Sequence, residues 1–158
     1  MLDHRIYQDL KKDHDLHRTL LKQIAGTSGP ERKEAFEELQ LQIAAHAAAE
    51  EESLYATMLA EPDLRDDARH SVAEHKEVAD YLAELAKLDP DAAEWQPKFD
   101  HMRERYEHHI DEEESEMFPA AERQLSEETE DKLAETYEER KPAELERASE
   151  APEGDDRE

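Results

Sequence analysis

The sequence predicts an all-α chain: an up-down-up-down four-helix bundle with a short fifth helix and an acidic tail. Three observations carry this expectation. Gly (3) and Pro (7) are scarce in 158 residues, while Ala, Leu, Glu, Lys and Arg, the strong helix formers, are abundant. Apart from Pro97 and Pro119, the breakers fall in a few places: Gly26-Thr27-Ser28-Gly29-Pro30, Glu61-Pro62-Asp63, Asp89-Pro90-Asp91 and the segment after Gln124. Between them, apolar residues recur at the three-and-four spacing of a buried helix face.

The four long helices are expected over 4–24, 31–60, 63–88 and 92–124. The first carries Ile6, Leu10, Leu21 and Ile24, the second Phe36, Leu39, Ile43 and Leu54. The third carries Leu64, Val78, Leu82 and Leu85, the fourth Trp95, Phe99, Met102, Tyr106 and Met117. Ser28 with Glu31 has the form of a capping box with Pro30 in the first turn, and Asp91 with Glu94 is a second cap pair. Short loops make neighbouring helices antiparallel, which yields the bundle. Ser126 starts a fifth helix that Pro142 ends; it carries Leu133 and Tyr137 on one side and packs outside the bundle. The expected organisation is therefore 1–125 for the bundle, 126–142 for the extra helix and 143–158 for an acidic, disordered tail.

Composition excludes several function classes. There is no cysteine, so disulfides, iron–sulfur clusters, zinc ribbons and thiol nucleophiles are ruled out, and any metal must be held by His and carboxylates. The formal net charge of −25 repels nucleic acid and anionic membrane. No apolar run is long enough to span a bilayer and no signal-like N-terminal segment is present, so a cytoplasmic protein is expected.

Histidines interrupt every core stripe. His14 lies between Leu10 and Leu21, His46 follows Ile43, His75 precedes Val78, and His109 follows Tyr106. Glu50 and Glu113 come one turn after His46 and His109, about 5 to 6 Å along the axis. Each histidine sits near the middle of its helix, and midpoints of antiparallel helices share a level. Two carboxylates and four imidazoles in one core layer are expensive to bury unless something compensates. Divalent cations do so, because they take neutral imidazole nitrogen and carboxylate oxygen. His14, His46, Glu50, His75, His109 and Glu113 are therefore the expected metal ligands. His108–Glu112 has the same spacing but is about 100° off the stripe, so His109–Glu113 is the chosen register. His17, one turn after His14, is read as an outer group of the site rather than a ligand. His4, His70, His101 and His108 are read as surface residues, and the remainder of the Glu50-Glu51-Glu52 and Glu112-Glu113-Glu114 runs as solvated faces. Tyr106 either hydrogen-bonds near the metals or simply packs in the core.

These motifs resemble the hemerythrin-like proteins, or HHE cation-binding domain. The resemblance rests on Lys12-Asp13-His14, the segment His46 to Tyr55, Glu74-His75, and His109 to Pro119, and it covers nearly all of 1–125. It implies a non-haem di-iron centre with an oxo or hydroxo bridge, with His14, His46, His75 and His109 as terminal ligands and Glu50 and Glu113 bridging. It implies a small diatomic or peroxide ligand, namely O2, NO or peroxide. Oxygen-carrying hemerythrins have a second histidine one turn after the helix-three ligand, where this chain has Ala79, and a His-x-x-x-x-Asp pair in helix four, where it has His-x-x-x-Glu. The open position favours reactivity over reversible oxygen storage. An iron or oxygen sensor, in which metal loading controls bundle stability and a partner of unknown identity, is the alternative. A ferritin-like site is disfavoured because it uses Glu-x-x-His.

Overall fold

The computed structural model describes residues 4–150. Helix α1 is Arg5–Ala25. Helix α2 is continuous over three segments, Gly29–Glu50, a π-helical turn Glu51–Tyr55, and Ala56–Ala60. Helix α3 is Arg65–Ala86. Helix α4 repeats the construction of α2, with Trp95–Glu112, a π-helical turn Glu113–Met117, and Phe118–Gln124. Helix α5 is Glu127–Glu150. Among the described residues no helix is long and apolar enough to cross a membrane.

Helices α1 to α4 pack against their neighbours in sequence, α1 closes the ring against α4, and α5 lies against α1 and α2, giving an antiparallel bundle with one added helix. The apolar stripes are all buried, but they form two separate cores. One is built from Ile6, Leu10, Leu54, Met58, Leu64 and Phe118. The other is built from Leu21, Ile24, Phe36, Leu82, Trp95 and Phe99. A layer of buried polar side chains lies between them.

Local caps depart from the expectation. Ser28 stands at the N-cap of α2 in extended conformation but makes no side-chain cap bond. Asp91 does not cap α4; its Oδ1 accepts from the Gly29 backbone N–H at 3.0 Å and ties two loops together. Gly29 has φ of 60°, a left-handed conformation that glycine adopts without strain. Ser126 does cap α5, accepting the Thr129 N–H at 3.1 Å.

The largest departure is α5. It was expected to stop at Pro142 and give way to a disordered tail; it runs through Pro142 to Glu150. An interior proline costs about 3 kcal/mol, and tertiary packing offsets it. Leu133, Ala134 and Tyr137 are buried against α1 and α2, each large apolar side chain contributing roughly 1.5–3 kcal/mol. Beyond the proline, Glu144 is 4% exposed and accepts from Arg140 at 3.1 Å. The rest of the expected tail, 151–158, lies outside the described residues.

Charge also tunes the α1–α5 seam. Asp9 faces Glu138, whose carboxylate accepts from Arg5 Nε at 2.6 Å. Burial and then Glu138 raise the Asp9 carboxyl to about 7. Its folded pKa lies above its unfolded value, so the folded chain binds the proton more tightly, and stability falls as pH rises from about 4 to about 7. Asp9→Asn should therefore raise the melting temperature at pH 8 by about 3 °C, for roughly 1 kcal/mol after solvent screening. The gain should vanish near pH 4. An equal gain at both pH values would show that Asp9 ionisation plays no part.

Candidate metal centre

The layer between the two cores is made by all four long helices. α1 places His14, α2 places His46 and Glu50, α3 places His75, and α4 places His109 and Glu113, all buried. The expected residues thus converge. The His14 and His46 ring centroids are 5.0 Å apart and those of His75 and His109 4.9 Å, which makes two poles. Glu50 spans them, with Oε1 3.3 Å from His46 Nε2 and 3.4 Å from His75 Nε2. Glu113 Oε1 lies 3.0 Å from His14 Nε2. His14, His46 and Glu113 each offer a donor atom within 4.8 Å of the others. The rejected pair His108–Glu112 is on the outside, with the His108 side chain 63% exposed.

The helix backbone is adapted at both glutamates. One π-helical turn begins immediately after Glu50 and the other at Glu113, and such turns concentrate at functional sites. The wider turn buries consecutive residues, Ser53-Leu54-Tyr55 in α2 and Met117-Phe118 in α4. Serine hydroxyls take up carbonyls near both turns: Ser53 Oγ donates to the Ala49 carbonyl at 2.7 Å and Ser115 Oγ to the Asp111 carbonyl at 2.8 Å.

Each expected histidine has its Nδ1 held by a carboxylate from another helix. His14 pairs with Glu114 at 2.7 Å, His46 with Asp13 at 2.9 Å, His75 with Glu51 at 2.9 Å, and His109 with Glu74 at 2.7 Å. The imidazole N–H donates to the carboxylate, which fixes the tautomer and leaves Nε2 free to accept a cation. Glu51 and Glu114 are therefore not merely solvated, as their acidic runs suggested. The sequence does carry a signal for these four acids. Each adjoins a site residue: Asp13 precedes His14, Glu74 precedes His75, Glu51 follows Glu50, and Glu114 follows Glu113. Adjacency in sequence conceals the function because each acid serves the histidine of a different helix.

His17 is closer to the centre than its reading as an outer group implied. It is 0% exposed, its ring centroid is 5.1 Å from that of His46, and its Nδ1 hydrogen-bonds Tyr106 Oη at 2.7 Å. Tyr55 Oη donates to Glu113, and Tyr137 from α5 donates to Asp13. Lys141 joins that group, 2.9 Å from Asp13.

The donor set fits a metal. His14 Nε2, His17 Nε2, both Glu50 oxygens, His109 Nε2 and Glu113 Oε1 are buried without a hydrogen-bond partner; the ion-pair contacts above are near but not aligned as hydrogen bonds. Buried polar atoms in native proteins are nearly always satisfied, and cations satisfy this set. Electrostatics agree. Burial pulls the His14 and His75 imidazoles down, but Glu113 and Glu114 push His14 up to about 9 and Glu50 and Glu51 push His75 up to about 10. Burial alone would raise Glu50; His46 and His75 hold it well below the usual carboxylate range. His17 goes the other way: burial, then the charges of His46 and His14, hold it neutral. Glu74 is kept ionised by its hydrogen bond to His109. The carboxylates thus attract positive charge into the layer, and a divalent cation would supply it while displacing protons.

Comparison with known proteins agrees with this geometry. Residues 5–121 match the family model described as the hemerythrin HHE cation binding domain. No curated protein sequence matches the chain. Among solved structures, the chain is similar to the crystal structure of a hemerythrin HHE cation binding domain-containing protein from Mycobacterium kansasii. The TM-score is 0.79 at 24% identity, covering 89% of this chain and 87% of that one; that likeness is one of fold. Four helices that converge on a layer of His and Glu, and a family match over most of the chain, lead to one conclusion: this chain belongs to the hemerythrin HHE cation-binding domain family and is a metal-binding helical bundle.

Proposed function

We propose that the layer holds two iron ions and that the protein binds or reduces a small oxidant such as O2, peroxide or NO. The observation that carries this reading is the two-pole arrangement spanned by Glu50, with unpartnered Nε2 and carboxylate atoms at both poles. His14 and His46 would serve one ion and His75 and His109 the other, with Glu50 and Glu113 shared. His17 would complete the first pole, supplying from α1 the fifth histidine that Ala79 does not provide from α3. Iron so held supplies one-electron redox chemistry. The chain's own part is to fix each Nε2 through an outer carboxylate and to exclude water with Ile43, Val78 and Met102. Tyr55 and Tyr106, whose hydroxyls are buried and held protonated, donate or relay hydrogen bonds at the edge of the layer. We place the protein in the cytoplasm on its composition.

The test is metal content together with an ultraviolet–visible spectrum before and after air exposure. About two irons per chain, as expected of a carboxylate- and His-lined bundle site, with near-ultraviolet bands that bleach on reduction, is the expected result. A folded chain that takes up no Fe(II) would sink the reading.

A sensor role is the second reading, and one observation favours it. Tyr137 Oη is 2.9 Å from His46 Nδ1, so α5 is wired to one pole. Metal-dependent protection of α5 amides from hydrogen exchange would support signalling through that helix; equal protection with and without metal would remove it.

A further inference from the structure

Outside the buried layer, a second group of metal-type side chains sits on the bundle surface. His70 and Glu74 are one turn apart on α3, with His70 Nε2 3.2 Å from Glu74 Oε2. Glu112 on α4 lies opposite, its Oε1 3.6 Å from the same nitrogen. Donor atoms of the three lie within 4.8 Å of one another. Glu112 also faces His108, Oε2 to Nε2 at 3.3 Å. The group borders a cavity of about 150 Å³ between α3 and α4, which Asp67 and Glu116 also line. That volume admits several waters or a partly hydrated ion.

The inner wall of the cavity is what separates this group from an ordinary acidic patch. It is formed by His109 and Glu113, each 2% exposed and each with an unpartnered polar atom, Nε2 and Oε1. Glu74 touches both ends, since its other oxygen accepts from His109 Nδ1 at 2.7 Å. We propose that His70, Glu74 and Glu112 form an outer divalent-cation site at the mouth of this cavity, through which the metal is loaded onto His109 and Glu113. One imidazole and two carboxylates suit Mn2+, Fe2+ or Zn2+. Partial exposure makes the site exchange quickly, as transit requires. The loading role rests on the buried iron centre proposed above; the outer site itself does not.

The test uses the full chain and its His70→Ala/Glu112→Gln double variant. Both changed side chains are at least a third exposed (58% and 35%), and circular dichroism checks the fold. His70→Asn alone serves as a milder second variant. In the first arm, Zn2+-equilibrated, desalted chain is titrated with Mn2+ in excess Mg2+, and free Mn2+ is read by electron paramagnetic resonance. The unchanged chain should retain about one exchangeable Mn2+, as one three-ligand site allows, and the variants should lose it. In the second arm, anaerobic Fe2+ loading is followed as the rate at which iron escapes a ferrous chelator. The double variant should load on the order of tenfold more slowly, the low end of focusing by a charged cleft, with unchanged final iron content. Equal Mn2+ binding by all chains overturns the site, and equal loading rates overturn the route. If no chain sequesters iron, the core reading falls and the loading role with it, while the Mn2+ arm alone decides whether the outer site exists.

Discussion

Glu50→Ala is expected to leave at most about one metal ion per chain, because the residue spans both poles of the proposed paired-metal site. Glu50 is fully buried, both of its oxygens lack hydrogen-bond partners, and its Oε1 lies within 3.4 Å of histidines on two helices. Glu113, the other proposed shared carboxylate, has its Oε1 3.0 Å from His14 Nε2. The metal-free variant should also be less stable. Removing one side of a buried charge pair typically costs about 3–5 kcal/mol, and here it strips His75 of the carboxylate that raises its pKa most. Glu50→Gln keeps the volume and separates the loss of charge from the loss of packing. Iron content after anaerobic loading and dialysis, with thermal melts of the metal-free chains, checks both. A Glu50→Ala chain that retains full iron and an unaltered spectrum would falsify the assignment of Glu50.

Asp13→Ala should produce the second largest effect, although Asp13 is not among the expected ligands. Its carboxylate accepts from His46 Nδ1, Tyr137 Oη and Lys141 Nζ. The His46 and Lys141 charges hold it, despite burial, well below the usual carboxylate range. Alanine removes the acceptor shared by three donors from α2 and α5 in a largely buried place and leaves His46 Nδ1 only Tyr137 Oη at 2.9 Å, at about 1–3 kcal/mol for each group left unsatisfied. Non-additivity makes roughly 3 kcal/mol in total a reasonable expectation. Freed from its outer partner, His46 loses its fixed tautomer, and metal affinity should fall about 10–100-fold. Asp13→Asn should recover part of the stability but less of the affinity, because an amide is a weaker acceptor and can present the wrong group to Nδ1. Calorimetric melts and competition with a chelator measure the two effects. Wild-type affinity in a destabilised Asp13→Ala chain would make the residue a helix-docking contact only.

Much of the site was legible because burial and periodicity are local properties. A histidine that takes the place of Leu in a stripe, as His46 does after Ile43, announces a polar group in the core. Helix midpoints then place His14, His46, His75 and His109 at one depth. The register choice in α4 followed from the same geometry, with His109 inside and His108 outside. The π-helical turns at Glu51–Tyr55 and Glu113–Met117 are not legible in the sequence, since one inserted residue leaves the three-and-four pattern almost unchanged over a few residues. The depth of His17 is not legible either, because one position on a helix tells little about how deep a side chain reaches beside its neighbours.

The sequence by itself determined the all-helical bundle, the exclusion of thiol chemistry, and the six His and Glu side chains brought to one layer. Tertiary structure alone decided the rest. It carried α5 past Pro142, since contacts with α1 and α2 outweigh the local preference of proline to end a helix. It assigned Asp13, Glu51, Glu74 and Glu114 to histidines on other helices, and it brought Tyr137 and Lys141 to Asp13 across more than a hundred residues of chain. Hydrogen bonds of that kind depend on how helices rotate and stack against one another. That information is spread over the whole packed core and is absent from any single stripe.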